Sequence, residues 1–168
     1  MRPEENGHGR RTIVVGVDGS VGARRALDWA VAEAEVHGWG VHVVHAWSVG
    51  AAVDFAWVSR EAHYQQSVAP IATTIRDVAL DSPGVELTWS SVEGSPAEVL
   101  VATAAGTAML VLAAHHGLAI SDRPLGSVTS ACLRGTTVAV VVVPPALTNG
   151  AGNGTRRRVP VRSAPDAS

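Results

Sequence analysis

The chain contains no lysine, and all 13 basic residues among its 168 are arginine. That absence closes two chemistries. A P-loop places a lysine on the β- and γ-phosphates, and a Schiff-base enzyme needs a lysine amine. Cysteine is nearly missing as well. With Cys132 as the single thiol there is no internal disulfide, no Cys-x-x-Cys redox pair and no multi-cysteine zinc site. No apolar run reaches the roughly 18 residues that read as a membrane span. The first eleven residues, MRPEENGHGRR, lack the apolar stretch of a secretory signal. The expectation is a cytoplasmic protein in a reducing compartment, with no membrane association.

Aromatics are scarce too, at 7, whereas alanine and valine supply 27 residues each. Small and β-branched side chains on this scale suit one α/β core, and the length fits a single domain with tails. Charge is unevenly spread. Residues 1–11 carry a net +1, residues 12–145 a net −6 and residues 146–168 a net +3. An acidic body argues against nucleic-acid binding, whose affinity comes mostly from neutralising phosphates. The arginines of the C-terminal tail leave an acidic protein partner open.

Five apolar segments alternate with helical patterns. Thr12 to Val17 is a continuous β-branched run, as expected of a strand buried on both faces of a parallel sheet. It stops at Asp18-Gly19-Ser20. Ser20 is a good N-cap, after which Ala23, Ala26, Leu27, Ala30, Val31 and Ala34 recur at helical spacing until Gly38. Val41 to Trp47 reads as the second strand and Tyr64 to Leu80 as the second helix. Val85 to Val92 alternates like a strand near a sheet edge. Ser95-Pro96-x-Glu98 joins an N-cap, a proline at the first helical position and an acid three residues after the cap, which predicts a helix to about Ala105. Met109 to Ala113, Ser127 to Leu133 and Val138 to Val143 complete the set, and Pro144-Pro145 closes it. This βαβαβαβαβ order predicts an α/β fold, with one open parallel five-stranded sheet and helices on both faces. The domain is expected over residues 12–145. A flexible tail precedes it (1–11), and a disordered, arginine-containing tail follows (146–168).

In such sheets ligands sit beyond the carboxyl ends of the strands, where the strand order reverses. Asp18-Gly19-Ser20 follows the first strand. The run Ala113-Ala114-His115-His116-Gly117 follows the fourth and leads to Gly126-Ser127-Val128-Thr129 at the start of a helix. The second stretch has the ingredients of an anion site, namely free backbone N–H groups, a positive helix end and little bulk. A carboxylate such as Asp18 nearby suits an amino group or a ribose hydroxyl.

Taken together these motifs resemble the universal stress protein family over roughly residues 10–145. The resemblance rests on IVVGVDGS (Ile13 to Ser20), VHVVHAW (Val41 to Trp47), EGSPAEVL (Glu93 to Leu100) and LVLAAHHG followed by LGSVTSACL. It implies a Rossmann-like fold of the adenine nucleotide alpha hydrolase-like kind, with strand order 3-2-1-4-5. It also implies a stress-response sensor or signalling protein that binds ATP, with Mg²⁺ carried by the phosphates, and at most slow ATP hydrolysis. No catalytic residues and no protein-ligated metal are expected. By the same resemblance Asp18 would hold the adenosine half, Ala46 would lend backbone groups near the adenine and Leu112 would line the base pocket. Gly126, Ser127, Val128 and Thr129 would meet the phosphates, with Ala113, His116 and Gly117 forming the preceding loop. Arg123, a residue outside the family motif, is a further candidate to neutralise phosphate.

The chain departs from the family pattern in one place. Nucleotide-binding members have Gly, two residues, Gly, nine residues, then Gly-Ser or Gly-Thr. Here the nine-residue spacer Gly117 to Leu125 is intact, but the first two glycines are replaced by Ala113 and His116. A Cβ at such places obstructs positive φ and close approach to phosphate. The alternative reading is therefore a nucleotide-independent dimeric interaction module with an altered phosphate loop. Under either reading the apolar strand Val138 to Val143 lies at a sheet edge, which proteins normally cover or pair, so homodimerisation through it is expected. Cys132 is expected as inert core, Trp29, Trp39 and Trp89 as packing residues, and Trp47 or Trp57 as a cover for the ligand.

Overall fold

The structure, a computed structural model, describes residues 11–48, 60–114 and 125–145. Along the chain it runs β1 (Thr12–Gly16), α1 (Val21–His37), β2 (Gly40–Trp47), α2 (Arg60–Asp81), β3 (Leu87–Glu93), α3 (Pro96–Ala104), β4 (Met109–Ala113), α4 (Ser127–Gly135) and β5 (Ala139–Val143). All four strand pairs are parallel and the sheet order is β3-β2-β1-β4-β5, as expected.

Strand parity divides the core between the two faces of the sheet. Ile13, Val15, Val41, Val43 and Val111 point to the face covered by α1 and α2. Val14, Val44, Leu110 and Leu112 point to the other face and meet Leu100 and Ala104 of α3 and Cys132 of α4. This is why the central strands read as unbroken valine runs. Helix α1 lies close against its face because Ala23, Ala26, Ala30 and Ala34 present almost nothing beyond Cβ, and Leu27 fills the space left over, fully buried. Burying such a leucine contributes about 1.5–3 kcal/mol.

Several boundaries differ from the sequence expectation. Helix α2 starts at Arg60, a turn before Tyr64, and continues through Pro70. Proline removes one intrahelical hydrogen bond and tends to kink a helix. Strand β3 starts at Leu87, because Ser82 to Val85 is used in a turn closed by the Val85 N–H to the Ser82 carbonyl at 3.2 Å. Ser95 precedes α3 and Pro96 opens it as expected, but the Ser95 side chain makes no capping hydrogen bond. Trp89, expected to pack, is 43% exposed on the edge strand β3, while Trp29 and Trp39 do pack against the larger half of the core. Among the described residues no helix is long and apolar enough to cross a membrane.

Candidate functional site

Strands β1 and β4 are neighbours, yet their following helices leave to opposite faces of the sheet. The carboxyl ends of the two strands are consequently left without a helix between them. A cleft of about 480 Å³ opens at this point. Its lining comes from Gly16 to Asp18 and Ser20 to Ala23 at the β1–α1 junction, Val44 and Ala46 of β2, Pro96 and Leu100 of α3, Leu112 to Ala114 at the end of β4, and Gly126 to Thr129 at the start of α4.

One wall is apolar and close-fitting. An added Cβ on Gly16 would stand 2.9 Å from Leu112 Cδ2 and 3.0 Å from Leu100 Cδ2, so a side chain there would require both leucines to shift. Gly16, Val44, Leu100 and Leu112 thus form a flat, oily surface suited to a planar ring.

The opposite wall is polar. At the β1–α1 junction the Ser20 N–H donates to Asp18 Oδ1 at 2.9 Å, and Ser20 Oγ accepts from the Ala23 N–H at 3.1 Å. Between them Gly19 has φ +79°, a value that L side chains rarely adopt. Helix α4 begins differently. Its N-cap is Gly126, with no side-chain capping bond, and the Ser130 N–H closes the first helical turn onto the Gly126 carbonyl at 2.9 Å. The N–H groups of Ser127, Val128 and Thr129 belong to the first helical turn and so lack intrahelical acceptors, and these residues line the cleft at the positive end of the helix.

Of the ten residues expected at the site, eight line this cleft: Asp18, Ala46, Leu112, Ala113, Gly126, Ser127, Val128 and Thr129. The other two, His116 and Gly117, lie outside the described residues, as do His115, Arg123, Trp57, residues 1–10 and the tail from 146 onward. The Cβ of Ala113 sits beside Gly22 of α1, where an added Cβ would be only 3.3 Å away. The methyl group that replaces the family's glycine hydrogen is therefore accommodated by a second glycine across the cleft. Trp47 does not line the cleft. It pairs with Tyr64 at 5.1 Å beside a second cavity bordered by Glu61, Ser91 and Glu93.

Gly16, Gly22, Arg25, Val44 and Leu100 also line the cleft and are not marked as site residues by the sequence motifs. Gly16 was hidden inside a strand pattern. Arg25 was passed over because only the apolar stripe of α1 was followed, although it stands three residues after Gly22 and therefore on the same face of the helix.

His37, His42 and His45 have structural partners. His45 Nδ1 donates to the Val17 carbonyl at 3.2 Å and ties the end of β1 to β2. His42 lies between Thr88 Oγ1 at 2.8 Å and Ser90 Oγ at 3.0 Å, and burial pushes its pKa down. Among the described residues no three His, Cys, Asp or Glu side chains cluster to hold a metal. Cys132 is fully buried and burial pushes its thiol pKa up, which keeps it protonated and unreactive.

Comparison with known proteins agrees with this architecture. The model of the universal stress protein family matches residues 9–144. A universal stress protein of Mycobacterium tuberculosis is 29% identical over 130 residues, covering 77% of this chain and 44% of the relative. The chain thus spans under half the length of the curated relatives it matches. Among solved structures, a universal stress protein in complex with cAMP is 27% identical, with a TM-score of 0.60 over 80% of this chain and 97% of the other. A universal stress protein from Lactobacillus plantarum, at 21% identity and a TM-score of 0.64, covers 80% of this chain and 97% of its own and shares the fold.

Proposed function

The chain belongs to the universal stress protein family, and on that premise we propose that its cleft binds an adenine nucleotide, ATP in the first instance. The base stacks against the apolar wall of Val44, Leu100 and Leu112, with backbone groups at Ala46 along its edge. Asp18 accepts from the ribose hydroxyls. The phosphates lie at the start of α4, on the N–H groups of Ser127, Val128 and Thr129 and the hydroxyls of Ser127 and Thr129. Mg²⁺ enters with the phosphates and is not held by a protein cluster.

The observation that carries this reading is the pairing of an apolar slot with an open helix N-terminus in one cleft at the strand-order reversal. A relative 27% identical was solved with cAMP, which supports the same ligand class. Ala113 does not stand against it, because its methyl group is taken up beside Gly22.

The protein acts as a nucleotide-responsive dimer and not as a metabolic enzyme. Strand β5 is the sheet edge on the β4 side, and its residues 139–142 are not fully buried, so a second copy pairing there would cover it.

Calorimetric titration with Mg²⁺-ATP tests the reading, with thermal melting as a second readout. Binding to the native state alone raises stability by about 2.7 kcal/mol when free ligand is 100 times Kd. A dose-dependent rise in Tm is expected. No shift and no heat at millimolar ATP would leave the nucleotide-independent dimeric module as the function.

A further inference from the structure

The cleft has a cation that neither the fold nor the family motif requires. Arg25 lies in the second turn of α1 and lines the cleft. Its neighbour Arg24 is committed, pairing with Asp28 at 2.8 Å on the exposed side of the helix. Arg25 is not. Its Nε is shielded from solvent and has no hydrogen-bond partner among the described residues. A buried donor on a permanently charged group is costly when left unmatched, and native structures seldom retain one without a reason.

Three features around Arg25 define what would match it. Helix α1 covers one face of the sheet and α4 the other, and Arg25 of α1 and the first residues of α4 both line the cleft. Both are donors of positive character. Among the described residues that line the cleft, Asp18 is the acid and Arg25 the base, and Asp18 is engaged by the Ser20 N–H at 2.9 Å. A group met by a planar fork of donors on one side and by backbone N–H groups on the other is a tetrahedral oxyanion.

We propose that Arg25 is the charge partner of a phosphate group held in the cleft, closing on it from α1 while Ser127 and Thr129 hold it from α4. This rests on the nucleotide reading above and goes beyond it in two respects. It assigns a side-chain charge to a site otherwise built of backbone and hydroxyl groups. It also makes the cleft selective for phosphorylated ligands over the free nucleoside. In a chain with no lysine, Arg25 takes the place that a lysine ammonium fills in a P-loop.

The experiment compares adenosine, ATP and inorganic pyrophosphate on the full chain and on Arg25→Gln and Arg25→Lys. For the unaltered chain, ATP is expected to bind at least tenfold tighter than adenosine, with an affinity that falls as salt rises. Arg25→Gln should weaken ATP at least tenfold and flatten the salt dependence, leaving adenosine unchanged. Arg25→Lys should recover part of the loss, since the charge remains and the fork does not. Pyrophosphate should raise the Tm of the unaltered chain and not that of Arg25→Gln. If ATP and adenosine weaken equally in Arg25→Gln, or neither changes, the arginine is structural and the proposal is overturned while nucleotide binding stands. If pyrophosphate stabilises the unaltered chain but no adenine compound binds, Arg25 keeps its role and the nucleotide reading fails. If neither pyrophosphate nor ATP binds, both fail.

Discussion

Two helices start at the rim of the same cleft, and the chain treats their first turns in opposite ways. At α1 the turn is closed by the protein's own side chains. Asp18 accepts from the Ser20 N–H, Ser20 accepts from the Ala23 N–H, and Gly19 supplies the positive φ that lets the turn form. At α4 a glycine stands where a capping hydroxyl would be, and the first N–H groups have no side-chain acceptor from the cap. An α1-type start stabilises the fold, whereas an α4-type start keeps donors available for something else. The difference separates a helix start closed by side-chain caps from one without a side-chain cap, although both lie in short glycine- and serine-containing motifs that look alike in sequence.

The most disruptive test of this contrast is Gly126→Val. Gly126 has φ −51° and ψ 154°, which any residue adopts, so the substitution strains no backbone and acts by filling the mouth of the helix. ATP affinity in calorimetry should fall by more than about tenfold, or 1.4 kcal/mol, while the ligand-free protein loses no more than about 1 kcal/mol because valine caps a helix less well than glycine. Unaltered affinity would show that α4 is not the phosphate end. Ser20→Ala should do the reverse. Losing the cap is expected to cost about 1 kcal/mol in urea denaturation, with ATP affinity kept within about twofold of the original. A large affinity loss at unchanged stability would mean that Ser20 touches the ligand and that the two starts are not specialised.

The smallest effect lies away from both helix ends and provides a baseline. Burial lowers the His42 pKa in the folded state. As pH falls below its unfolded value of about 6.5, the unfolded chain takes up the proton first. Stability is therefore full above that value and declines on acidification. In His42→Gln, urea midpoints taken on either side of pH 6.5 should fall less on the acid side than in the original chain. An identical decline would remove His42 from the account.

Much of the fold was legible because it is written in patterns that local chemistry enforces. Continuous valine runs mark strands buried on both faces, and the Ala23, Ala26, Leu27, Ala30 spacing marks the face that α1 lays on the sheet. The cleft could be located because strand-order reversal and a Gly-Ser-rich helix start coincide. What escaped depends on tertiary placement. Whether Ser95 caps α3 turns on a rotamer, which spacing does not specify. The alternation of Val85 to Val92 already marked an edge strand, but which face of it stays uncovered, and hence that Trp89 is exposed, depends on the packing of the helices. The accommodation of Ala113 requires Gly22, a residue some ninety positions earlier that no local motif connects to it. Arg25 read as one more charge on a helix surface until the cleft showed which side of α1 it faces.

The seam between β1 and β4 bears on how the molecule comes together in time. Ile13 pairs with Met109, about a hundred residues along the chain, so this contact closes one of the longest loops in the fold and its entropy must be met before the pairing gives any return. Each wall of the cleft draws residues from both sides of that seam, Gly16 and Leu112 on the apolar one and Ser20 and Ser127 on the polar one. A partly folded chain that has not joined them has no site, and its occupant has nothing to hold during most of the search. Whatever settles there acts as a latch applied after assembly, which lengthens the life of the finished molecule and does not hasten its making.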